Sequence, residues 1–215
     1  VETNTFGANK IKLSKFGLDG EVDKINRAAA QLAKDAADKA KGSKKRFILG
    51  SMGPTGFLPS STDPNLSNIS LEELEEAFRG QAHVLIENGV DAIIFETCQD
   101  ILEAKCAVFG IRQAAKVLGQ HVPIFVSITV DKNGRMLLGT EVAAAMTILE
   151  GLSVDAIGLN CSSGPIEMKD PIRYLSEHCS CPIVCLPNAG MPENIDGKPV
   201  YQMGPVEFAS SLAEL

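Results

Sequence analysis

The sequence predicts an α/β fold, a (β/α)8 TIM barrel that is incomplete in this chain, with about strands 2 to 7 of eight present. Short, continuously apolar runs alternate with amphipathic stretches along the 215 residues, which is typical of parallel strands covered by helices. The entries to two strands, GVDAI at 89–93 and SVDAI at 153–157, are alike, as repeated βα units would be. No GxGxxG motif follows a strand, so a dinucleotide-binding domain is disfavoured.

The predicted elements alternate from the first residues onward. The opening residues have the pattern of a strand end, and Ser70 and Glu73 have the spacing of a capping box at a helix start. The predicted helices are 22–40, 70–88, 101–118, 141–152, 171–178 and a last one from 204, and the predicted strands are 46–51, 90–97, 123–130, 155–161 and 182–186. A hairpin turn is expected at 131–134, DKNG. The six resulting βα units fall short of eight, so we expect one barrel domain over 1–215, truncated at both ends.

Charge and composition limit the partners of the chain. A net charge of -7 argues against nucleic acid and anionic membranes, which bind mainly to basic patches. No apolar run approaches the roughly 18 residues that a membrane-spanning helix needs. The six cysteines are spread through apolar segments rather than set in a small disulfide-rich scaffold. We therefore expect a cytoplasmic protein without nucleic-acid or membrane partners.

Polar side chains follow the predicted strands at their carboxyl ends, where the catalytic groups of a barrel meet in one mouth. Capping of a neighbouring helix remains an alternative role for the hydroxyls among them, at Thr5, Ser51 and Thr129. The full set of candidates is Asn4, Thr5, Ser51, Glu96, Thr97, Thr129, Asn160, Cys161 and Asn188.

Cys161 is the most informative of these positions because it ends a strand and precedes an open Ser-Ser-Gly-Pro loop. The alternative is a buried, inert thiol, which is the usual state of a cysteine. The three histidines of the chain lie within or at the ends of helices, which disfavours a Cys/His nucleophile. Cys179, Cys181 and Cys185 straddle a helix-to-strand turn, so convergent zinc ligation by these three is also disfavoured.

Five segments in order and at matching spacing resemble consecutive motifs of the homocysteine S-methyltransferase family. They are ETNTFGAN at 2–9, GSMGPTG at 50–56, FET at 95–97, GLNC at 158–161 and PNAG at 187–190. The resemblance extends over essentially the whole chain and is closest to the cobalamin-dependent members of the family. It implies that the chain is a homocysteine-binding barrel domain.

The resemblance implies a zinc site with one cysteine after the sixth barrel strand and two adjacent cysteines after the eighth. Cys161 matches the first of these, as both a zinc ligand and a catalytic residue. The sequence contains no Cys-Cys pair, so the other two are expected beyond Leu215. Asn188 matches the family's asparagine that approaches the metal when substrate is away.

The resemblance also implies the substrate contacts and the reaction. Glu96 matches the acid that holds the homocysteine amino group, and the other candidate substrate-binding residues are Ser51, Asn4, Thr97 and Asn160. A free thiol has a pKa of about 8.5 and is mostly protonated at neutral pH. Zinc with three cysteine ligands keeps a fourth position at which the substrate thiol can bind and lose its proton. The expected reaction is methyl transfer to the homocysteine thiolate, forming methionine.

Nothing in the sequence has the pattern of a corrin or folate site. The methyl donor, methylcobalamin or methyltetrahydrofolate, is therefore expected on other domains of the same polypeptide. Two alternatives remain. One is a free-standing enzyme that uses betaine or S-methylmethionine, and the other is a non-catalytic, truncated barrel without metal.

Overall fold

Strands and helices alternate around one parallel sheet in a computed structural model, which describes residues 1–40, 42 and 44–215. The helices are α1 (Lys10–Ser14), α2 (Val22–Lys39), α3 (Pro64–Ser67), α4 (Leu71–Glu87), α5 (Ile101–Val117), α6 (Val142–Gly151), α7 (Pro165–His178) and α8 (Pro205–Leu212). The strands are β1 (Leu49–Met52), β2 (Ala92–Cys98), β3 (Ile124–Ile128), β4 (Ala156–Asn160), β5 (Ile183–Leu186), β6 (Pro192–Ile195) and β7 (Lys198–Tyr201).

The main sheet has five strands in the order β1-β2-β3-β4-β5, and every neighbouring pair is parallel. The opening segment joins it through a single parallel bridge between Glu2 and Leu49, with the Thr3 amide 2.9 Å from the Leu49 carbonyl oxygen. The predicted parallel α/β fold is confirmed. The six predicted strands are corrected to five strands and one bridge, and the described residues do not close into a barrel.

Helices α4 and α5 pack against each other and against strands β1, β2 and β3. Ser70 and Glu73 form the predicted capping box at the start of α4. Phe78 of α4 meets Phe95 of β2 edge to face, with ring centroids 5.1 Å apart, a favoured aromatic geometry. Gly110 lets α5 approach α4 closely, since a Cβ atom there would lie 2.6 Å from the Glu75 carbonyl oxygen.

Helix α7 begins earlier than predicted. Its first residue is Pro165 rather than Pro171, which lies inside the helix. The Glu167 carboxylate accepts a hydrogen bond from the Gly164 amide at 3.0 Å and so satisfies one free donor at the helix start. A proline is also favoured in the first turn of a helix, and Pro165 occupies that position.

A second, antiparallel hairpin, β6–β7, was not predicted. Its turn contains Asp196 and Gly197, both with positive φ, at 52° and 77°. Asp-Gly is a strong sequence signal for such a two-residue turn. The predicted turn at 131–134 is present, with the Gly134 amide 3.0 Å from the Asp131 carbonyl oxygen. It is followed by only one antiparallel bridge, between Arg135 and Glu141.

Across the part of the chain that the structure describes, none of the helices combines the length and the apolar character needed to cross a membrane.

Candidate functional site

Three strands carry the predicted polar residues to one edge of the sheet. Ser51 lies in β1, Glu96 and Thr97 lie in β2, and Asn160 ends β4, followed by Cys161. The carboxyl ends of parallel strands lie at the same edge of a sheet, so side chains from β2 and β4 can meet across the end of β3. The structure brings all five residues into one hydrogen-bonded cluster.

The Glu96 carboxylate is the acidic group of this cluster. Its Oε1 accepts a hydrogen bond from the Ser51 hydroxyl at 2.5 Å, and its Oε2 lies 3.4 Å from the Asn160 amide nitrogen. Burial raises the pKa of Glu96, the Ser51 hydrogen bond opposes that rise, and the negative charge of Glu2 adds to it. No ion pair between described residues involves Glu96. This half-buried acid is therefore suited to pairing with a cationic ligand group.

The side chain of Asn160 lies between Glu96 and Cys161 and contacts both. Its Oδ1 accepts a hydrogen bond from the Thr97 amide at 2.8 Å. Its Nδ2 lies 2.7 Å from the Thr97 hydroxyl oxygen and 3.3 Å from the Cys161 sulfur. Asn160 is itself buried, so its amide orientation is set by these contacts and not by solvent.

Two strand ends have an unusual backbone conformation at this site. Thr97 and Cys161 have positive φ, at 58° and 55°, and a β-branched residue such as threonine rarely adopts it. Residues 96 and 97 also form a bulge opposite Ser127, because Phe95 pairs with Val126 whereas Cys98 pairs with Ile128. Strained residues and bulges concentrate at functional sites, where they redirect side chains. Here the Thr97 hydroxyl and the Cys161 sulfur face each other at 3.8 Å.

The loop after β4 packs against the loop after β5 and places Asn188 beside the segment that carries Cys161. The Cys161 amide donates to the Leu186 carbonyl oxygen at 3.2 Å, and the Asn188 amide donates to the Ser163 carbonyl oxygen at 3.0 Å. A Cβ atom on Gly164 would lie only 2.8 Å from the Gly190 Cα, so the two backbones are in close contact. Cys161 and Asn188 are both partly exposed.

The described residues contain no group of three or more His, Cys, Asp or Glu side chains that could hold a metal ion. Cys161 is partly exposed, and Asn188 lies on the adjoining loop. A thiolate is a preferred zinc ligand, so Cys161 fits the predicted role as one member of a larger ligand set.

The hydroxyls of the remaining strand-end threonines donate hydrogen bonds to backbone carbonyl oxygens. The buried Thr5 hydroxyl donates to the Ser51 carbonyl oxygen at 2.6 Å, and the Thr129 hydroxyl donates to the Asn160 carbonyl oxygen at 2.7 Å. Both hydroxyls hold strands of the cluster rather than cap a helix. Asn4 is exposed, and the structure shows no hydrogen bond from its side chain to the described residues of the cluster.

Sequence reasoning missed an acid that holds the loop after β1. Glu103 is completely buried, and its Oε1 accepts hydrogen bonds from the amide and hydroxyl of Thr55 at 2.8 and 2.6 Å. Burial raises the pKa of Glu103 to about 7, against the Thr55 hydrogen bonds. Asp100 holds the same loop, since its carboxylate accepts from the amide and hydroxyl of Ser60, both at 2.7 Å. The Asp-x-x-Glu spacing signals a helix start, where Asp100 caps α5 through the Leu102 amide, but it does not signal the contact of Glu103 with Thr55.

Ser127, which lies beside the cluster, was also not selected from the sequence. It lies in β3 opposite the bulge of β2, and its buried hydroxyl has no hydrogen-bond partner among the described residues. A serine within an apolar strand carries no sequence signal that would separate it from an ordinary core position.

Two curated relatives match nearly the whole chain. A methionine synthase of Mycobacterium tuberculosis is 40% identical over 214 residues, which are 99% of this chain and 18% of that protein. A methionine synthase of Mycobacterium leprae is 39% identical over 214 residues, 99% of this chain and 17% of that protein. The chain therefore spans less than a fifth of the length of these relatives.

Solved structures show the same fold. The metallated form of the homocysteine methyltransferase MmuM from Escherichia coli superposes with a TM-score of 0.71 at 19% identity, covering 88% of this chain and 66% of that one. The oxidized form of the same enzyme has a TM-score of 0.70 at 18% identity. A family profile described as homocysteine S-methyltransferase matches residues 1–215. The chain belongs to the homocysteine S-methyltransferase family.

Proposed function

We propose that this chain is a homocysteine-binding domain of the methionine synthase type, which activates the homocysteine thiol for methyl transfer to form methionine. One observation carries the proposal. The Glu96 carboxylate and the Cys161 sulfur lie within 3.4 Å and 3.3 Å of the same Asn160 nitrogen. Homocysteine carries an ammonium and a thiol separated by a short aliphatic chain, so an acid and a sulfur site this close match its two ends.

Glu96 would bind the substrate ammonium. It has no cationic partner among the described residues, and its burial strengthens a charge pair formed there. The Ser51 hydroxyl holds Oε1 in place, and the Asn160 amide approaches Oε2. Thr97 and Asn4 are further proposed substrate contacts. The arrangement orients the substrate so that its sulfur points towards Cys161.

Cys161 would supply one thiolate ligand to zinc, and Asn188 would approach the metal when substrate is absent. Zinc, when bound, acts as a Lewis acid that lowers the pKa of the substrate thiol. Asn160 keeps the Cys161 sulfur in position through its N–H···S contact at 3.3 Å. The Thr97 hydroxyl lies 3.8 Å from the same sulfur, and Asn160 accepts a hydrogen bond from the Thr97 amide.

We infer that the methyl donor is methylcobalamin, recharged from methyltetrahydrofolate, on other domains of the same polypeptide. The support is the whole-chain identity of about 40% to proteins named methionine synthase, of which this chain covers 18% and 17%. A free-standing enzyme that uses betaine or S-methylmethionine is the second candidate. The likeness to the enzyme MmuM, at 19% identity, supports the fold and does not favour that donor.

A donor assay tests this choice. The full-length protein is incubated with homocysteine and one methyl donor, either methylcobalamin, S-methylmethionine or betaine. The methionine formed in each reaction is quantified. We expect methionine only with methylcobalamin. Turnover with S-methylmethionine or betaine alone would establish the second candidate instead.

The non-catalytic alternative is tested by binding. We expect the full-length protein to contain one zinc per chain by elemental analysis and to bind homocysteine by titration calorimetry. A folded protein with neither zinc nor homocysteine binding would overturn the proposal.

A single domain over 1–215 and a cytoplasmic location complete the proposal. All six cysteines are free, which suits a reducing compartment.

A further inference from the structure

Two cysteines outside the candidate site lie in sulfur–sulfur contact. The Sγ atoms of Cys179 and Cys181 are 3.3 Å apart, and both residues are partly exposed. Cys179 caps the end of α7, and Cys181 precedes β5 by one proline. The pair therefore lies at the amino-terminal end of β5, whereas Cys161 lies at the carboxyl-terminal end of the neighbouring strand β4.

Hydrogen bonds hold the turn between these cysteines. The Cys179 amide donates to the Leu175 carbonyl oxygen at 2.8 Å. The amide and hydroxyl of Ser180 both donate to the Glu150 carboxylate at 2.7 Å. Because the backbone on both sides is fixed, the two thiols stay near each other in the folded chain. Burial raises the pKa of Cys181 to about 11, and either sulfur can be the donor in the contact between the two thiols.

The other cysteines lack this arrangement. Cys98 and Cys106 are buried, and the Cys185 sulfur contacts the Met168 sulfur at 3.9 Å. Among the described residues, Cys179 and Cys181 are the only two cysteines whose sulfurs contact each other. A disulfide needs the sulfurs to approach from 3.3 Å to about 2.05 Å, which is a small movement for two partly exposed side chains.

We propose that Cys179 and Cys181 form a reversible dithiol–disulfide site that reacts with small-molecule disulfides. One protein thiolate attacks the small disulfide, forming a mixed disulfide and releasing one small thiol. The second protein thiol then loses its proton and attacks the mixed disulfide, which releases the other small thiol. Two protein thiols are oxidised by two electrons, and one small disulfide is reduced to two thiols. This site is independent of the proposed methyl transfer.

The disulfide should be easily reduced again. It closes a loop with a single residue between the cysteines, so it gains little from restricting the unfolded chain. The tight ring also strains the bond, and strained, exposed disulfides are the labile ones.

The test uses the full-length protein under native conditions. The protein is equilibrated with glutathione disulfide, free thiols are alkylated, and the digest is analysed by mass spectrometry. We expect a Cys179–Cys181 disulfide, seen as the loss of two hydrogens without alkylation at either residue, and its complete reversal by dithiothreitol. The same bond should form in Cys185→Ser, whereas Cys181→Ser should carry only a glutathione adduct on Cys179.

Three outcomes would overturn the proposal. One is alkylation of both cysteines after oxidation, and the second is a bond from Cys181 to Cys185 in place of the expected pair. The third comes from repeating the oxidation in guanidinium chloride. We expect a lower yield there because the folded turn holds the sulfurs together. An equal or higher yield from the unfolded chain would show that the structure contributes nothing.

Discussion

Asn160 is the residue on which the geometry of the candidate site depends. Its single side chain contacts the acid, the hydroxyl and the thiol that the strands bring to this edge. Thr97 and Cys161 hold left-handed backbone conformations at their strand ends, a strain of order 1–3 kcal/mol each that the surrounding contacts must offset. The site is therefore built from residues that the fold constrains, which is the condition for a preorganised site.

At the residue scale, the first prediction concerns Cys161→Ser in the full-length protein. A serine hydroxyl is close in size to the thiol but is a poor zinc ligand. We expect zinc and nearly all methyl transfer to be lost, while the stability of the zinc-free protein changes by less than about 1 kcal/mol because Cys161 is partly exposed. The measurements are zinc per chain and the melting temperature.

Cys185→Ser is the matched control for that variant. Cys185 lies inside β5 and contacts Met168, so a hydroxyl there should cost about 1–2 kcal/mol of stability and leave the zinc content unchanged. Full zinc in the Cys161 variant, or zinc loss confined to the Cys185 variant, would contradict the assignment.

The second prediction concerns Glu96→Gln. Removing the charge should weaken homocysteine binding by about 10- to 100-fold, since a hydrogen-bonded charge pair contributes about 1.5–3 kcal/mol. Zinc content should not change. The wild-type affinity should fall as pH drops through the raised pKa of Glu96, because the protonated acid no longer pairs with the ammonium. Calorimetric titration at several pH values measures both effects.

Glu2→Gln is the control for the pH dependence. The charge of Glu2 raises the pKa of Glu96, so removing it should move the affinity midpoint to lower pH while tight binding persists. If Glu96→Gln retains the wild-type affinity and pH profile, Glu96 does not bind the ammonium.

At the scale of helices, the packing of α4 on α5 depends on one glycine. Gly110→Ala places a methyl group 2.6 Å from the Glu75 carbonyl oxygen, so we expect a loss of about 1–3 kcal/mol. Gly80→Ala in α4 is the control, because nothing lies within 4 Å of its added methyl group. That helical substitution should stabilise the protein by about 0.5–1 kcal/mol. Opposite signs in urea unfolding are the expected result, and equal effects would refute the packing argument.

The hydrogen bonds from Thr55, in the loop after β1, to Glu103 of α5 bury an acid, and this predicts a pH dependence of stability. The pKa of Glu103 rises from 4.5 to about 7 on folding, so its contribution is fully present below about pH 4.5 and is lost as pH rises through about 7. The loss amounts to about 3 kcal/mol. Glu103→Gln cannot ionise, so it should abolish this part of the dependence.

This contribution of Glu103 is tested by measuring the unfolding free energies of wild type and Glu103→Gln between pH 4.5 and 8. The difference between the two curves isolates Glu103 from other titrating groups. A constant difference across this range would mean that Glu103 ionises in the folded protein as it does in the unfolded one.

At the scale of the whole molecule, the sheet has two poorly covered edges. The outer edge of β1 carries one bridge to Glu2, and β5 is a terminal strand whose Leu186 is 42% exposed. Unpaired strand edges with apolar side chains favour association. We expect the isolated 1–215 polypeptide to self-associate and to unfold with poor cooperativity, as measured by analytical ultracentrifugation and thermal melting.

Leu186→Lys should reduce that association, since a charge at an edge strand opposes strand pairing. A monodisperse wild-type sample with a sharp, reversible thermal transition would show that these edges are not a liability.

Periodicity predicted the parallel α/β fold, and strand-end positions predicted nine candidate residues at its edge, five of which form the cluster. Both depend on local rules, since apolar runs form buried strands and the ends of parallel strands lie together. The start of α7 and the hairpin β6–β7 were missed, although Gly164-Pro165 and Asp196-Gly197 carried short-range signals. The roles of Cys161 and Asn188 came from the family resemblance and remain predictions.

The sequence alone determined which residues share an edge of the sheet, because each apolar run predicts a strand and the polar residues that follow it lie at the strand's carboxyl end. Only the tertiary structure decided which of them touch. Asn160 reaches Glu96, Thr97 and Cys161, whereas Thr5 and Thr129 turn to the backbone. Glu103 and the Cys179–Cys181 contact likewise emerged only in three dimensions. The physical reason is that side-chain contacts depend on packing and backbone angles between distant segments, which no local pattern encodes.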